Sequence, residues 1–420
     1  MKSTLTLCLM LLMTASAFAL DDEAERFVKL ALELGHYDPD YVDAYLGPAE
    51  WAQAAKDNLR SKDDLADAIS ALYSDLNEMS LRDGESIVRH RALLRNVRAM
   101  DTRMRMTNGE TFSFAAEARL IYDVVLPEYD FSAFDRALDH IEELMPGDGA
   151  LADRVDAFRI SLTIPEEARN QLVNLAIQEC RRRTAEHISL PPNEHFTLEY
   201  VHDKNWTGYN WYQGENESLM QINLDFPTKI DSAIDLGCHE GYPGHHVWNV
   251  LVENRLLLDN GWVEFSLFPL FSPAALIAEG SANYGVHLAF PRDEKIDYER
   301  AILFPLAGLN VEQATVLDKL NKLAVALSHS LTATAQLYLD GEISRDEAIQ
   351  QRQKYGLLSR AHAEQSVRFI EQYRSYVLNY NLGQDIVRAY IEKPGDDQAS
   401  RWAAFERLLT ELSSASNMRH

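Results

Sequence analysis

The stretch Asp235-Leu-Gly-Cys-His-Glu-Gly-Tyr-Pro-Gly-His-His246 puts three imidazoles beside a carboxylate, and it constrains the fold more than any other part of the chain. His239 followed at once by Glu240 opens the pattern in which two histidines one helical turn apart bind zinc and the glutamate activates a water. The pattern is then interrupted. Four residues after His239 stands Pro243, and the next imidazoles are His245 and His246.

In a straight helix the sixth residue on points to the opposite side, and the seventh lies roughly 10 Å further along the axis, too far to share an ion. A chain that uses these histidines together must bend between them. Pro243 cannot donate a backbone hydrogen bond to His239, and Gly244 distorts at little cost, so the bend is expected there. Two looped-out residues would bring His245 near the usual position of the second ligand. His245 is therefore the preferred partner of His239, with His246 as the alternate.

A third ligand is expected from a downstream carboxylate, Glu279 in Leu276-Ile-Ala-Glu-Gly-Ser-Ala-Asn-Tyr284. HExxPGHH followed by EGxAxY resembles the bacterial domain-of-unknown-function 885 family, whose members look like zinc metallopeptidases. The likeness runs from about Asn205 to about Tyr390, where Leu382-Gly-Gln-Asp-Ile-Val-Arg388 is similar to a worn form of that family's closing PGQAxxY. The chain departs from the family in three places. Ser281 stands where EGWAxY has tryptophan, the closing motif lacks its proline and has Arg388 at the tyrosine position, and the chain is shorter than most members. The resemblance implies a zinc (Zn2+) site with Glu240 as base and Arg388 in the place of the family tyrosine.

The N-terminus carries Lys2, an apolar run from Leu5 to Met13 and Ala17-Phe-Ala19, the n-region, h-region and cleavage site of a secretory signal over residues 1–19. No later segment has the roughly 20 apolar residues of a membrane span, so an exported protein, periplasmic or secreted, is expected. With 65 acidic and 40 basic residues the formal charge is −25, which repels nucleic acid and anionic membranes and argues against both as partners. Cys180 and Cys238 remain after leader removal; they are expected to be free, packing as small apolar side chains, with Cys238 not a metal ligand.

From Asp22 to His187 apolar residues recur at helical spacing, with helix starts at Ser61-Lys-Asp-Asp64 and Pro165-Glu-Glu167. The arginine run Arg89 to Arg105 is expected to be a solvated face paired with local carboxylates. Around Phe196 the texture changes to short β-branched and aromatic runs separated by Asn and Gly, which predicts a small sheet, with Leu219 to Asp225 as an edge strand able to pair with an extended substrate. Helices resume from Glu312, with a capping box at Ser344-Arg-Asp-Glu347, and the Ser-rich tail 413–420 is expected to fray.

The fold class predicted is mainly α, a single domain over residues 20–412 with a small β-sheet beside a central cleft, similar to the helical zinc peptidases that include angiotensin-converting enzyme. Residues 20–190 form its helical half and 195–390 its metal-site half. Asp235, one turn before His239, and Asn283, one turn after Glu279, are candidate supports for the ligands. Oxyanion donors are sought in Arg388, Tyr380, Tyr376 and His329. The activity these readings point to is hydrolysis of short peptides. A metal-dependent amidase and a non-catalytic exported zinc protein, with His246 or Asp235 closing the shell, are the alternatives.

Overall fold

Helices begin where the local chemistry provides for their free N–H groups. Ser61 Oγ accepts from the Asp64 amide to open Lys62–Glu78, whose Leu65, Ile69, Leu72 and Leu76 form one buried stripe. Ser344 and Glu347 cap each other's backbone to open Arg345–Gly356. The computed structural model describes residues 20–81, 84–204, 206–395 and 397–418, so the predicted leader over 1–19 lies outside the described residues. The protein is mainly helical with two small sheets.

The elements that position the site are, in chain order, strand β1 (Val42–Tyr45), α1 (Gly84–Thr107), α2 (Glu166–Ala185), β2 (His195–Val201), β3 (Gly208–Gly214), β4 (Glu217–Asn223), α3 (Ile230–Leu236), α4 (His245–Leu251), β5 (Leu267–Pro269), α5 (Pro273–Ala289) and α6 (Leu378–Glu392). β1 pairs antiparallel with β5, an interruption of the helical first half that periodicity did not show because its partner lies more than two hundred residues away. The larger sheet has the order β2-β4-β3, parallel between β2 and β4 and antiparallel between β3 and β4. The segment expected as an edge is therefore the central strand. Glu215 and Asn216, both at positive φ, turn β3 back onto β4, while β2 takes the other side, so β3 is the edge that borders the cleft.

α5 is buried along almost its whole length and crosses α6 at backbone contact. A Cβ at Gly280 would sit 2.5 Å from the Gly383 carbonyl carbon and oxygen, and one at Gly383 would sit 2.8 Å from the Leu276 carbonyl oxygen. Only glycine at both positions permits that approach. One buried apolar cluster runs from Leu20 to Met418 and includes residues of both sequence halves. The tail reaches it: in the stretch expected to fray, Ala415 is fully buried and Met418 nearly so, within the short helix Ala415–Met418.

The arginines of α1 are likewise less solvated than expected. Arg89 forks onto Glu264 at 2.7 and 2.8 Å, and Arg103 pairs with Asp38 while stacking 3.6 Å over the Phe271 ring. Arg89 and Arg103 tie α1 to distant chain, Arg95 and Arg98 reach Asp123, and Arg105 keeps a local surface pairing with Glu110 and Asp101. No helix among the described residues is long and apolar enough to cross a membrane.

Candidate metal centre

The bend forecast at Pro243-Gly244 is present. α3 runs into a wide π-turn, Gly237–Gly241; after Tyr242 and Pro243, joined by a cis peptide bond, α4 starts at His245. Within the bend the Gly244 amide donates to the Cys238 carbonyl at 2.9 Å. A Cβ at Gly244 would fall 1.8 Å from the His239 carbonyl oxygen, so no other residue fits this turn. The result is that His239 and His245 meet edge to face, with their Nε2 atoms 3.1 Å apart and ring centroids at 4.7 Å.

Glu279 reaches the same point from α5. Its Oε2 lies 3.5 Å from His239 Nε2 and 3.8 Å from His245 Nε2, while its Oε1 accepts from the Tyr376 hydroxyl at 2.7 Å. Asn283, one turn later, places Oδ1 3.1 Å from His239 Nδ1 and donates its amide to the Tyr380 carbonyl at 2.9 Å. That orientation makes Asn283 Oδ1 the acceptor, so His239 carries its proton on Nδ1 and turns the Nε2 lone pair inward. Three acceptor atoms then face one another, and the buried Glu279 Oε2 has no hydrogen-bond partner.

Such an arrangement is repulsive unless a cation or a shared proton lies between the atoms. In the ion-free protein burial opposes charge on His239, but the carboxylates of Glu279 and Glu240 outweigh it and raise its pKa to about 9. Burial, aided by the His239 charge, pushes His245 down to about 4. Burial would raise Glu279, yet the two imidazoles and Tyr376 hold it below the ordinary carboxylate value. Two imidazole nitrogens and one carboxylate oxygen at these separations suit zinc, whose tetrahedral bonds of about 2.0–2.2 Å put ligand atoms roughly 3.3 Å apart. Among the described residues this group has three members and no fourth protein ligand.

Glu240 adjoins the group, with Oε1 4.0 Å from His239 Nε2. Burial lifts its pKa to about 7, against the His239 charge and helped by Glu279. Its backbone carbonyl accepts from Asn210 of β3 at 2.7 Å, and a Cβ on Gly208 would come within 3.4 Å of its carboxylate, so the edge strand passes directly beside it. Tyr209 of the same strand donates to Asp43 of β1 at 3.1 Å. The cleft in front of these groups has a volume of about 1410 Å3 and is walled by β1, β3, α3, α5 and the tyrosines Tyr373, Tyr376 and Tyr380.

The structure does not bring every candidate here. His246, the alternate ligand, turns away: Nδ1 meets Ser218 Oγ at 2.8 Å and Nε2 meets Glu194 Oε2 at 2.9 Å, with Tyr242 and Arg181 also on Glu194. It anchors α4 to the sheet, a role that Glu194, isolated in sequence, gave no sign of. Asp235 pairs with Lys295 at 2.9 Å and not with His239, because the π-turn shifts the register by which residue 235 would have lain beneath the ring. Arg388 and His329 both lean on Asp385 and neither lines the cleft, whereas Tyr376 and Tyr380 do. Cys238 is disulfide-bonded to Cys180, which corrects the expectation of two free thiols and ties α2 to the metal turn.

No family model matches the chain, and no curated protein matches it significantly. Among solved structures it superposes on a crystal structure described as that of "the putative lipoprotein from Colwellia psychrerythraea", with a TM-score of 0.49 and 14% identity over 85% of this chain and 71% of that one. A likeness at that level assigns neither family nor activity.

Proposed function

We propose that this protein is an exported zinc-dependent peptidase acting on short peptides. The observation that carries the reading is the orphaned Glu279 Oε2 facing the Nε2 atoms of His239 and His245, with the Glu240 carboxylate beside them in a large cleft. The resemblance of HExxPGHH and EGxAxY to the domain-of-unknown-function 885 family supports the same reading, as do the leader-like residues 1–19 for export. Three protein ligands, with none of the described residues supplying a fourth, match a catalytic site and not a closed structural one.

His239, His245 and Glu279 would hold a zinc ion, which would supply Lewis acidity to a water and to a substrate carbonyl. Glu240, whose carboxylate adjoins the site, takes the water's proton and returns it to the leaving amine. Asn283 and Tyr376 hold the ligands in orientation. With Arg388 outside the cleft, Tyr380 becomes the donor toward the developing oxyanion. The free edge of β3 pairs with an extended substrate backbone and presents its carbonyl carbon to the water that Glu240 deprotonates. Glu240→Gln is expected to lower kcat by roughly 100- to 10,000-fold, the contribution of a general base, with one zinc per chain retained by metal analysis. Undiminished peptide hydrolysis by the zinc-loaded variant would rule the assignment out.

A further inference from the structure

Away from the metal the cleft wall holds two adjacent basic side chains that the proposed chemistry does not use. Arg159 lies in the last turn of the helix Leu151–Ile160, and Lys229 is the residue before α3. Two backbone hydrogen bonds hold their segments together, Ile164 N–H to the Thr228 carbonyl at 2.9 Å and Ile230 N–H to the Leu162 carbonyl at 3.0 Å. Both side chains line the cleft and are half-buried, and neither has a hydrogen bond or ion pair to a described residue. The two carboxylates whose charges reach both cations, Asp231 and Asp156, line the same cleft but make their short contacts with other side chains. Asp231 accepts from Asn321 at 3.3 Å, and Asp156 stands 4.0 Å from His362.

Resting on the peptidase reading, we infer that Arg159 and Lys229 form an anion subsite that receives a carboxylate of the peptide substrate about four residues from the bond cleaved. The spacing follows from the fold. Lys229 precedes His239 by ten residues of essentially continuous helix, roughly 15 Å at 1.5 Å per residue, and an extended peptide covers that in about four residues at 3.3–3.4 Å each. Half-burying two adjacent cations is costly: burial lowers both groups' pKa values, the Arg159 charge adds to the effect on Lys229, and the charges of Asp231 and Asp156 offset this only in part. A substrate carboxylate would remove that cost, which makes the subsite selective in a chain whose overall charge of −25 otherwise repels anions.

The carboxylate can be the peptide's C-terminus or an Asp or Glu side chain, and the test separates the two. N-acetylated alanine heptapeptides with one phenylalanine would be prepared with a free C-terminus, with a C-terminal amide, and as amides with one glutamate walked along the chain. Turnover by the zinc-loaded protein and binding to its Glu240→Gln form would both be measured. A charged peptide is expected to exceed the neutral amide at least tenfold in kcat/KM and affinity, through KM and not kcat, with the preference shrinking as salt rises. Preference for the free C-terminus identifies the terminal carboxylate, and preference for glutamate at one position identifies a side chain. Arg159→Gln with Lys229→Gln should bring the ratio within twofold of unity while zinc content and turnover of the neutral amide persist. Equal treatment of charged and neutral peptides by the unaltered protein overturns the inference without any variant, as does a preference that survives the double substitution. Absence of turnover of every peptide would count against the peptidase reading alone, since binding to the Glu240→Gln form still reads the subsite.

Discussion

His245 and His246 are neighbours with unrelated work, and substitution should separate them. If the proposed ligand set holds, His245→Ala removes one of its three members, so the folded protein should lose stoichiometric zinc. His246→Ala leaves the buried Glu194 and Ser218 short of a partner, at a cost of about 1–3 kcal/mol, with zinc retained. Metal content and urea midpoints measured on both variants check the pair; zinc lost from the second and kept in the first would reverse the ligand assignment. A different residue sets a pH dependence. Glu299 is buried beside Lys295, 3.3 Å away, but that ammonium also serves Asp235, and burial with the charges of Asp235 and Asp231 lifts Glu299 from 4.5 to about 8. A carboxyl raised in the folded state contributes stability fully below its unfolded value and loses that contribution as pH rises through 8. Tm should therefore fall between about pH 5 and pH 9, and Glu299→Gln should flatten that decline.

Among elements, the metal turn is where a local signal and a distant constraint meet. Pro243 and Gly244 announce the bend, and helix starts at Ser61 and Ser344 are equally local, since a cap involves residues within one turn. The disulfide from Cys180 to Cys238 is of the other kind. It joins α2 to the π-turn across 58 residues, and closing a loop of that length contributes about 4 kcal/mol in the chain-entropy account. Replacing both cysteines with alanine should lower the denaturant midpoint by up to that amount while zinc stays stoichiometric, because neither sulfur faces the ion. Loss of metal from a variant that remains folded would show that the bond, and not the Gly244 turn, sets the spacing of His239 and His245. The strand order illustrates the same division: alternation marked β4 as a strand, but its place at the centre depends on β2 arriving in parallel from the opposite side.

At the scale of the whole molecule, the buried cluster that runs from Leu20 to Met418 draws on both sequence halves, and α2 packs against the metal turn from the first of them. Cutting the chain near Pro191 would expose this shared surface on each side. Limited proteolysis should accordingly yield no pair of separately stable fragments divided there, and thermal unfolding followed by near- and far-ultraviolet dichroism should coincide in one transition. Two stable fragments would contradict a single core.

By itself the sequence determined the helical class, the existence of a short sheet, the bend at Pro243-Gly244 and the residue types gathered at the candidate site, because each is written within a few adjacent positions. Tertiary structure decided which histidine meets His239 and Glu279, since the choice between His245 and His246 follows from Glu194 and Ser218 drawing the latter into the sheet. It also decided that Asn283 supports His239 where Asp235 had the local spacing, that Tyr376 steadies Glu279 while Arg388 stays outside, and that the two cysteines pair. The physical reason is common to all of these. Ligand type and backbone bending are properties of a short segment, whereas the partner of a buried polar group is chosen by whichever distant element packs against it.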